Sequence, residues 1–195
     1  MKQIGVLAFH GDVIEHLEAI REAGKKLGLA IDLIEVRTKE AVDNLDGLIL
    51  PGGESTTLYK LCYQERMWAA MKQVKAIFGT CAGAIMLAKK ILHKEAGQET
   101  LALMDVTIDR NAYGRQTESF EKKIETKLGL IEAVFIRAPR IKNIGSQVKI
   151  LAKNDGEIIA YQQRVDGKFY LATCFHPELT TTKFHEYFLK QIYEN

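Results

Sequence analysis

The 195-residue chain is poor in cysteine, with three, and in proline, also with three. Cys62, Cys81 and Cys174 form an odd, widely spaced set. That argues against a disulfide framework and a four-ligand zinc site, and it leaves reduced thiols of which one is a candidate for reactivity. No tract rich in Pro, Gly or Ser and no low-complexity segment divides the chain, so one domain over residues 1–195 is expected. Charge of one sign is lacking as well: 27 Lys and Arg stand against 25 Asp and Glu, interspersed, with a net charge of +2. Such a balance offers no basic stripe for a nucleic acid backbone. No apolar run approaches the roughly 20 residues of a membrane span, and the apolar part of "MKQIGVLAFHGD" is too short for a secretion signal. A cytoplasmic, soluble protein is the expectation, and 47% hydrophobic content is enough for one sizeable core.

What the chain has is alternation. Ile4 to Phe9 is a short apolar run, followed by Gly11-Asp12 and then by Val13, Ile14, Leu17, Ile20 and Leu27 near the helical period. Ile31 to Val36 and Leu48 to Leu50 read as further strands. Ser55-Thr56-Thr57 can cap a helix running through Leu58, Leu61, Met67 and Met71. Ala76 to Phe78 reads as a strand and Ala84 to Ile91 as a helix. From Met104 onward short strand candidates alternate with turn signals, Asn154-Asp155-Gly156 and Asp166-Gly167 among them, before a helical ending in "TTKFHEYFLKQIYEN". The predicted fold class is an α/β three-layer sandwich. It has a mostly parallel central sheet, helices on both faces, and antiparallel strands added along one edge in the second half.

In "KAIFGTCAGAIM" a lone cysteine stands where a strand gives way to a helix. Ligands of open α/β sheets sit beyond the carboxyl ends of strands, so Cys81 has a reactive address. A sharp strand-to-helix turn lifts its central side chain out of the sheet and needs neighbours without bulk, which Gly79, Ala82 and Gly83 supply. A helix N-terminus aimed at a sulfur favours thiolate over thiol. The plain alternative is a buried cysteine acting as a small hydrophobe. A thiolate needs a base, and "CFHPEL" offers His176 with Glu178 two residues on; in an extended segment both side chains point the same way. Taken alone, that tripeptide is also an ordinary loop. In "LILPGGESTT" the Gly52-Gly53 turn can present backbone N–H groups to an oxyanion, Gly53 together with Ala82. A phosphate cradle ranks below that reading, because neither a P-loop lysine nor a Gly-x-Gly-x-x-Gly spacing is present.

Taken together, "LILPGGES", "FGTCAGAI" and "CFHPEL" resemble the class I glutamine amidotransferases. "GVLAFHGDVIEH", "DRNAYGRQTESFE" and "FIRAP" narrow the resemblance to the glutaminase subunits of pyridoxal 5′-phosphate synthases, over nearly the whole chain. The resemblance implies hydrolysis of glutamine to glutamate and ammonia by Cys81, His176 and Glu178. It further implies glutamine contacts at Gly53, Glu54, Ser55, Arg110, Ile136 and Arg137, no cofactor or metal, and a separate synthase subunit as the partner that receives the ammonia. A glutaminase serving another ammonia-dependent synthase, a related cysteine hydrolase and a catalytically silent subunit are the rival readings. The family commonly has Leu-Gln-Gly-Asp where this chain has Phe9-His10-Gly11-Asp12. His10 is thereby a rival base, set below His176 because no orienting acid adjoins it. His16, His93 and His185 read as structural or solvated, Cys62 as helix packing and Cys174 as buried.

Overall fold

The structure is a computed structural model that describes residues 1–110 and 119–194. The motif "DRNAYGRQTESFE" therefore lies partly outside the described residues. Its Arg110 is described, and residues 111–118 are not.

The first strands are short, and burial deepens from the edge strand inward. β1 (Lys2–Leu7) is followed by α1 (Val13–Leu27), β2 (Ile31–Val36), the short helix α2 (Lys39–Val42) and β3 (Gly47–Leu50), whose four residues are all buried. A strand buried on both sides carries no polar alternation, which is why β3 reads as an unbroken "GLIL". Then come α3 (Ser55–Gln64), α4 (Trp68–Met71), β4 (Ala76–Thr80), α5 (Ala82–Leu87) and β5 (Ala88–Leu92). The second half supplies β6 (Met104–Asp109), β7 (Phe120–Thr126), β8 (Gly129–Phe135), β9 (Arg140–Ile144), β10 (Val148–Asn154), β11 (Glu157–Val165) and β12 (Lys168–Thr173). A 3-10 turn (Pro177–Leu179) and α6 (Lys183–Tyr193) complete the chain.

The main sheet has nine strands in the order β2-β1-β3-β4-β12-β11-β10-β7-β8. Its first five strands are mutually parallel, and every pairing from β12 outward is antiparallel. Strand order turns back at β1, so the right-handed crossover through α1 lies on one face and those through α2 and α3 on the other. Contacts agree with this: α1 packs with α6, and α5 packs with α3 against β3, β4 and β12. Phe78 of β4 anchors the core under α6, its ring 5.8 Å from Phe188 and 6.5 Å from Phe184.

Several local expectations change. The helix expected from Ser55 to Met71 is two helices, broken where Arg66 takes a φ of 57°. The cap of α3 is Glu54, whose carboxylate accepts from the N–H groups of Thr56 at 2.9 Å and Thr57 at 2.7 Å, in place of the expected Ser-Thr-Thr cap. The helix expected over Ala84–Ile91 ends at Leu87, because Ala88 turns extended (φ −64°, ψ 146°) and β5 begins. β5 pairs with β6, and β6 with β9, in a second, three-stranded sheet that the turn pattern did not reveal. The two expected reversals are present, with positive φ at Asp155-Gly156 and at Asp166-Gly167, the pattern of tight hairpins. Among the described residues no helix is long and apolar enough to cross a membrane.

Candidate active site

Four parallel strands deliver the site. The chain leaves β1 at His10-Gly11-Asp12, β3 at Pro51-Gly52-Gly53, β4 at Cys81 and β12 at His176, so all four segments emerge at the carboxyl edge of the sheet. β1 and β3 are neighbours on either side of the point where strand order reverses, the position at which such sheets open a crevice.

Cys81 sits at the start of α5 with φ 48° and ψ −102°, a left-handed conformation that a non-glycine residue adopts only when its surroundings force it. The forcing contacts are visible. A Cβ on Gly79 would fall 2.5 Å from the Gly83 carbonyl carbon, and one on Gly83 would fall 2.0 Å from the Leu50 carbonyl oxygen. The turn closes because these backbones touch, and the Cys81 N–H is tied to the Thr173 carbonyl at 2.9 Å. The expectation of small neighbours at this turn thus has a geometric cause.

His176 is the third residue after β12. Its Nδ1 lies 2.8 Å from Glu178 Oε1, and the Cys81 side chain is near enough to raise the pKa of the ring. The intervening Pro177 begins a 3-10 turn, not the extended segment expected, and the turn still returns the carboxylate to the ring. Burial alone would lower the His176 pKa; hydrogen bonds to Asp12, Cys81 and Glu178 outweigh it and raise it to about 12. Burial would raise Glu178, but the imidazoles of His16 and His176 beside it hold it well below the usual carboxylate range.

Two residues escaped the sequence reading. Asp12 places Oδ2 2.9 Å from the same His176 Nδ1, so two carboxylates face one ring nitrogen. His16, expected to be structural or solvated, is fully buried with Nε2 3.4 Å from Glu178 Oε1. A signal for His16 existed: it lies on the buried stripe of α1 with Ala19, Ile20, Ala23 and Gly24, where a polar residue needs a reason. Asp12 had no signal apart from its place after β1.

Gly52 and Gly53 pass close to imidazoles. A Cβ on Gly52 would lie 2.4 Å from His176 Cε1, and one on Gly53, where φ is 121°, would lie 2.5 Å from the His10 ring. His10 therefore packs on the glycine turn; its Nε2 is buried and has no hydrogen-bond partner among the described residues. On the opposite wall the Cys81 sulfur is 3.7 Å from the Ile136 carbonyl oxygen, and the adjoining Arg137 is exposed with φ 48°. Arg110 gathers the remaining candidates: it donates to Glu54 Oε1 at 2.9 Å, to Thr56 Oγ1 at 2.8 Å and to Gln98 Oε1 at 2.7 Å, while Gln98 donates to Ser55 Oγ at 3.0 Å. Glu54, opposed by burial but bonded to Thr56 and Thr57, is pulled down to about 2 and stays ionised.

The other thiols are inert by environment. Cys62 and Cys174 are buried, and burial pushes Cys62 up to about 12 and Cys174 higher still. Among the described residues Asp12, His176 and Glu178 offer metal-donor atoms within 4.8 Å of one another. Their separations of 2.8 and 2.9 Å are those of hydrogen bonds, and both bonds already use the one nitrogen, Nδ1, that a metal would take.

A family model described as the SNO glutamine amidotransferase family matches residues 6–194. The chain is 44% identical to pyridoxal 5′-phosphate synthase subunit PdxT of Korarchaeum cryptofilum (strain OPF8), covering 97% of this chain and 98% of that one. It is 43% identical to the subunit of the same name from Thermotoga neapolitana, covering 97% and 99%. A glutamine amidotransferase known from its crystal structure is similar with a TM-score of 0.82 and 42% identity, over 97% of this chain and 98% of that one.

Proposed function

The chain belongs to the SNO glutamine amidotransferase family, and from that premise we propose that it hydrolyses L-glutamine to L-glutamate and ammonia, with Cys81 as nucleophile, His176 as acid and base, and Glu178 as the group that holds His176. The observation that carries this reading is the imidazole of His176, 2.8 Å from Glu178 Oε1 and close enough to the Cys81 side chain for that side chain to raise its pKa.

The Cys81 sulfur attacks the side-chain amide carbon of glutamine, and the amide oxygen gathers negative charge. The N–H groups of Gly53 and Ala82 are the proposed donors to that oxygen. Protonated His176 gives its proton to the departing nitrogen, so that ammonia leaves and a glutamyl thioester remains. Neutral His176 then takes a proton from water as the water attacks the thioester, which releases glutamate and restores the thiolate–imidazolium pair.

Glutamine is proposed to lie between the Gly53–Ser55 turn and the Ile136–Arg137 segment. Arg137, exposed at the mouth, is the better placed of the two arginines to take its carboxylate, because Arg110 is already bonded to Glu54, Thr56 and Gln98. The proposed partner is the synthase subunit of a pyridoxal 5′-phosphate synthase, which would consume the ammonia; the printed names of the relatives support this. A cytoplasmic location is proposed on three unpaired, buried cysteines, the state expected of a reducing compartment.

The test is Cys81→Ala in the presence of glutamine and the synthase subunit. Ammonia release should fall to background while circular dichroism is unchanged. Ammonia release at the wild-type rate would refute the assignment.

A further inference from the structure

We propose that His16 is a positioning residue for the catalytic set: its Nε2–H, held in that tautomer by His185, keeps the Glu178 carboxylate in the setting that meets His176. Its kinetic test rests on the glutaminase reading, and its spectroscopic test does not.

Glu178 is held through one oxygen. Oε1 takes the His176 nitrogen at 2.8 Å and faces His16 Nε2 at 3.4 Å, while Oε2 is buried with no hydrogen-bond partner among the described residues. A carboxylate's two oxygens are chemically equivalent, so a contact to His176 alone would leave the group free to turn about its last bond. The second imidazole, facing the same oxygen, narrows that rotation. The same Nε2 lies 3.0 Å from the hydroxyl of Thr80, the residue before Cys81, so one ring touches both the acid and the strand end that carries the nucleophile.

The tautomer follows from accounting for buried protons. His16 Nδ1 is 3.0 Å from His185 Nε2, and His185 Nδ1 is buried with no partner. Both rings are fully buried. If His185 Nε2–H donates to His16 Nδ1, the orphan on His185 is a lone pair, and His16 presents Nε2–H to Glu178 and Thr80. The reverse arrangement leaves an orphan N–H at His185, the costlier defect, and sets a bare nitrogen against a carboxylate. Burial lowers His185 to about 3, which keeps it in the neutral form this arrangement requires.

The placement is built into two helices. His16 lies on the buried stripe of α1, and His185 lies on the buried face of α6 with Phe184, Phe188, Leu189 and Ile192. α1 and α6 pack together on one face of the sheet, so the two imidazoles meet beneath the site and their chain ends at Glu178. The proposed reaction uses neither ring directly.

Two measurements test this. Long-range proton–nitrogen correlation of the histidine rings in the wild-type chain at neutral pH should show His16 protonated on Nε2 and bare on Nδ1; a His16 bare on Nε2 overturns the proposal. In the complex with the synthase subunit, His16→Leu should lower kcat for glutamine by about tenfold with KM within about twofold. His16→Gln, whose amide N–H stands where Nε2–H stood, should recover most of that loss. A purely structural role would instead make kcat follow the melting temperature in both variants. Wild-type kcat in His16→Leu, or equal impairment in the two variants, overturns the proposal. Should the leucine variant fail to fold, the ring-nitrogen spectrum of the wild type still decides. A wild-type complex with no glutaminase would sink the functional reading and leave His16 to that same spectrum.

Discussion

In the parallel half of the large sheet, β1, β3, β4 and β12 all run in one sense, so their carboxyl ends gather at one edge and bring Asp12, Gly53, Cys81 and His176 together. In the antiparallel half, successive strands reverse, and every second loop falls at the far edge. Four antiparallel pairings separate β12 from β8, an even number, so β8 runs in the same sense as β12 and its end at Ile136 arrives beside the sulfur. The rest of that half is joined by tight reversals such as Asp155-Gly156 and Asp166-Gly167. Chemistry thus concentrates where strand direction is uniform, and the alternating half supplies one wall.

The comparison breaks most sharply at Gly83. Gly83→Ala would drive a Cβ to 2.0 Å from a backbone oxygen in the parallel half, and we expect about 3 kcal/mol of lost stability together with lost glutaminase activity, read by denaturant titration and ammonia release. A retained rate would mean that the elbow is looser than the contacts imply.

The buried histidines also belong to the parallel half, and they make its stability depend on pH. His185, depressed to about 3 by burial, is neutral in the folded chain while an unfolded histidine titrates near 6.5. Its contribution is therefore present above pH 6.5 and lost on acidification, with a slope of up to about 1.4 kcal/mol per pH unit. Between pH 6.5 and 5, above the range where Glu178 titrates in the unfolded chain, His185→Leu should flatten that slope in urea titrations. His176, raised to about 12, acts with the opposite sign: its contribution is complete below pH 6.5 and fades as pH rises.

Asp12→Asn removes an anion 2.9 Å from His176 Nδ1. The imidazolium then loses a stabilising neighbour, so the basic limb of the kcat/KM profile should move down by roughly one pH unit. An unmoved limb would show that Glu178 alone sets the His176 proton. The smallest effect belongs to the antiparallel half: Gly156→Ala meets open space but keeps a φ of 84°, and should cost about 1 kcal/mol with glutaminase activity intact.

Legibility in the sequence divided along the same line. The βα units, the small residues around Cys81 and the pairing of His176 with Glu178 are short-range signals, written within a few residues of one another, and each reads correctly without a structure. The hairpin turns at Asp155 and Asp166 were legible for the same reason. Missed were features that depend on what packs from elsewhere. Ala88–Leu92 reads as the tail of a helix until β6 is there to pair with it. That the Glu54 carboxylate closes the end of α3 and holds Arg110 has no local sign beside its place in the Gly53–Ser55 turn. His16 lies 162 residues from Glu178 in the chain, and no local pattern joins them; only the meeting of α1 with the 3-10 turn does so.

Treatment of the chain with a chloroketone analogue of glutamine, followed by mass spectrometry of the intact protein and its peptides, tests the central claim most directly. The account predicts a single adduct on Cys81, absent from Cys81→Ala, slowed by His176→Asn and prevented by excess glutamine. An adduct on Cys62 or Cys174, or one on Cys81 that forms equally fast without the His176 imidazole, would contradict it.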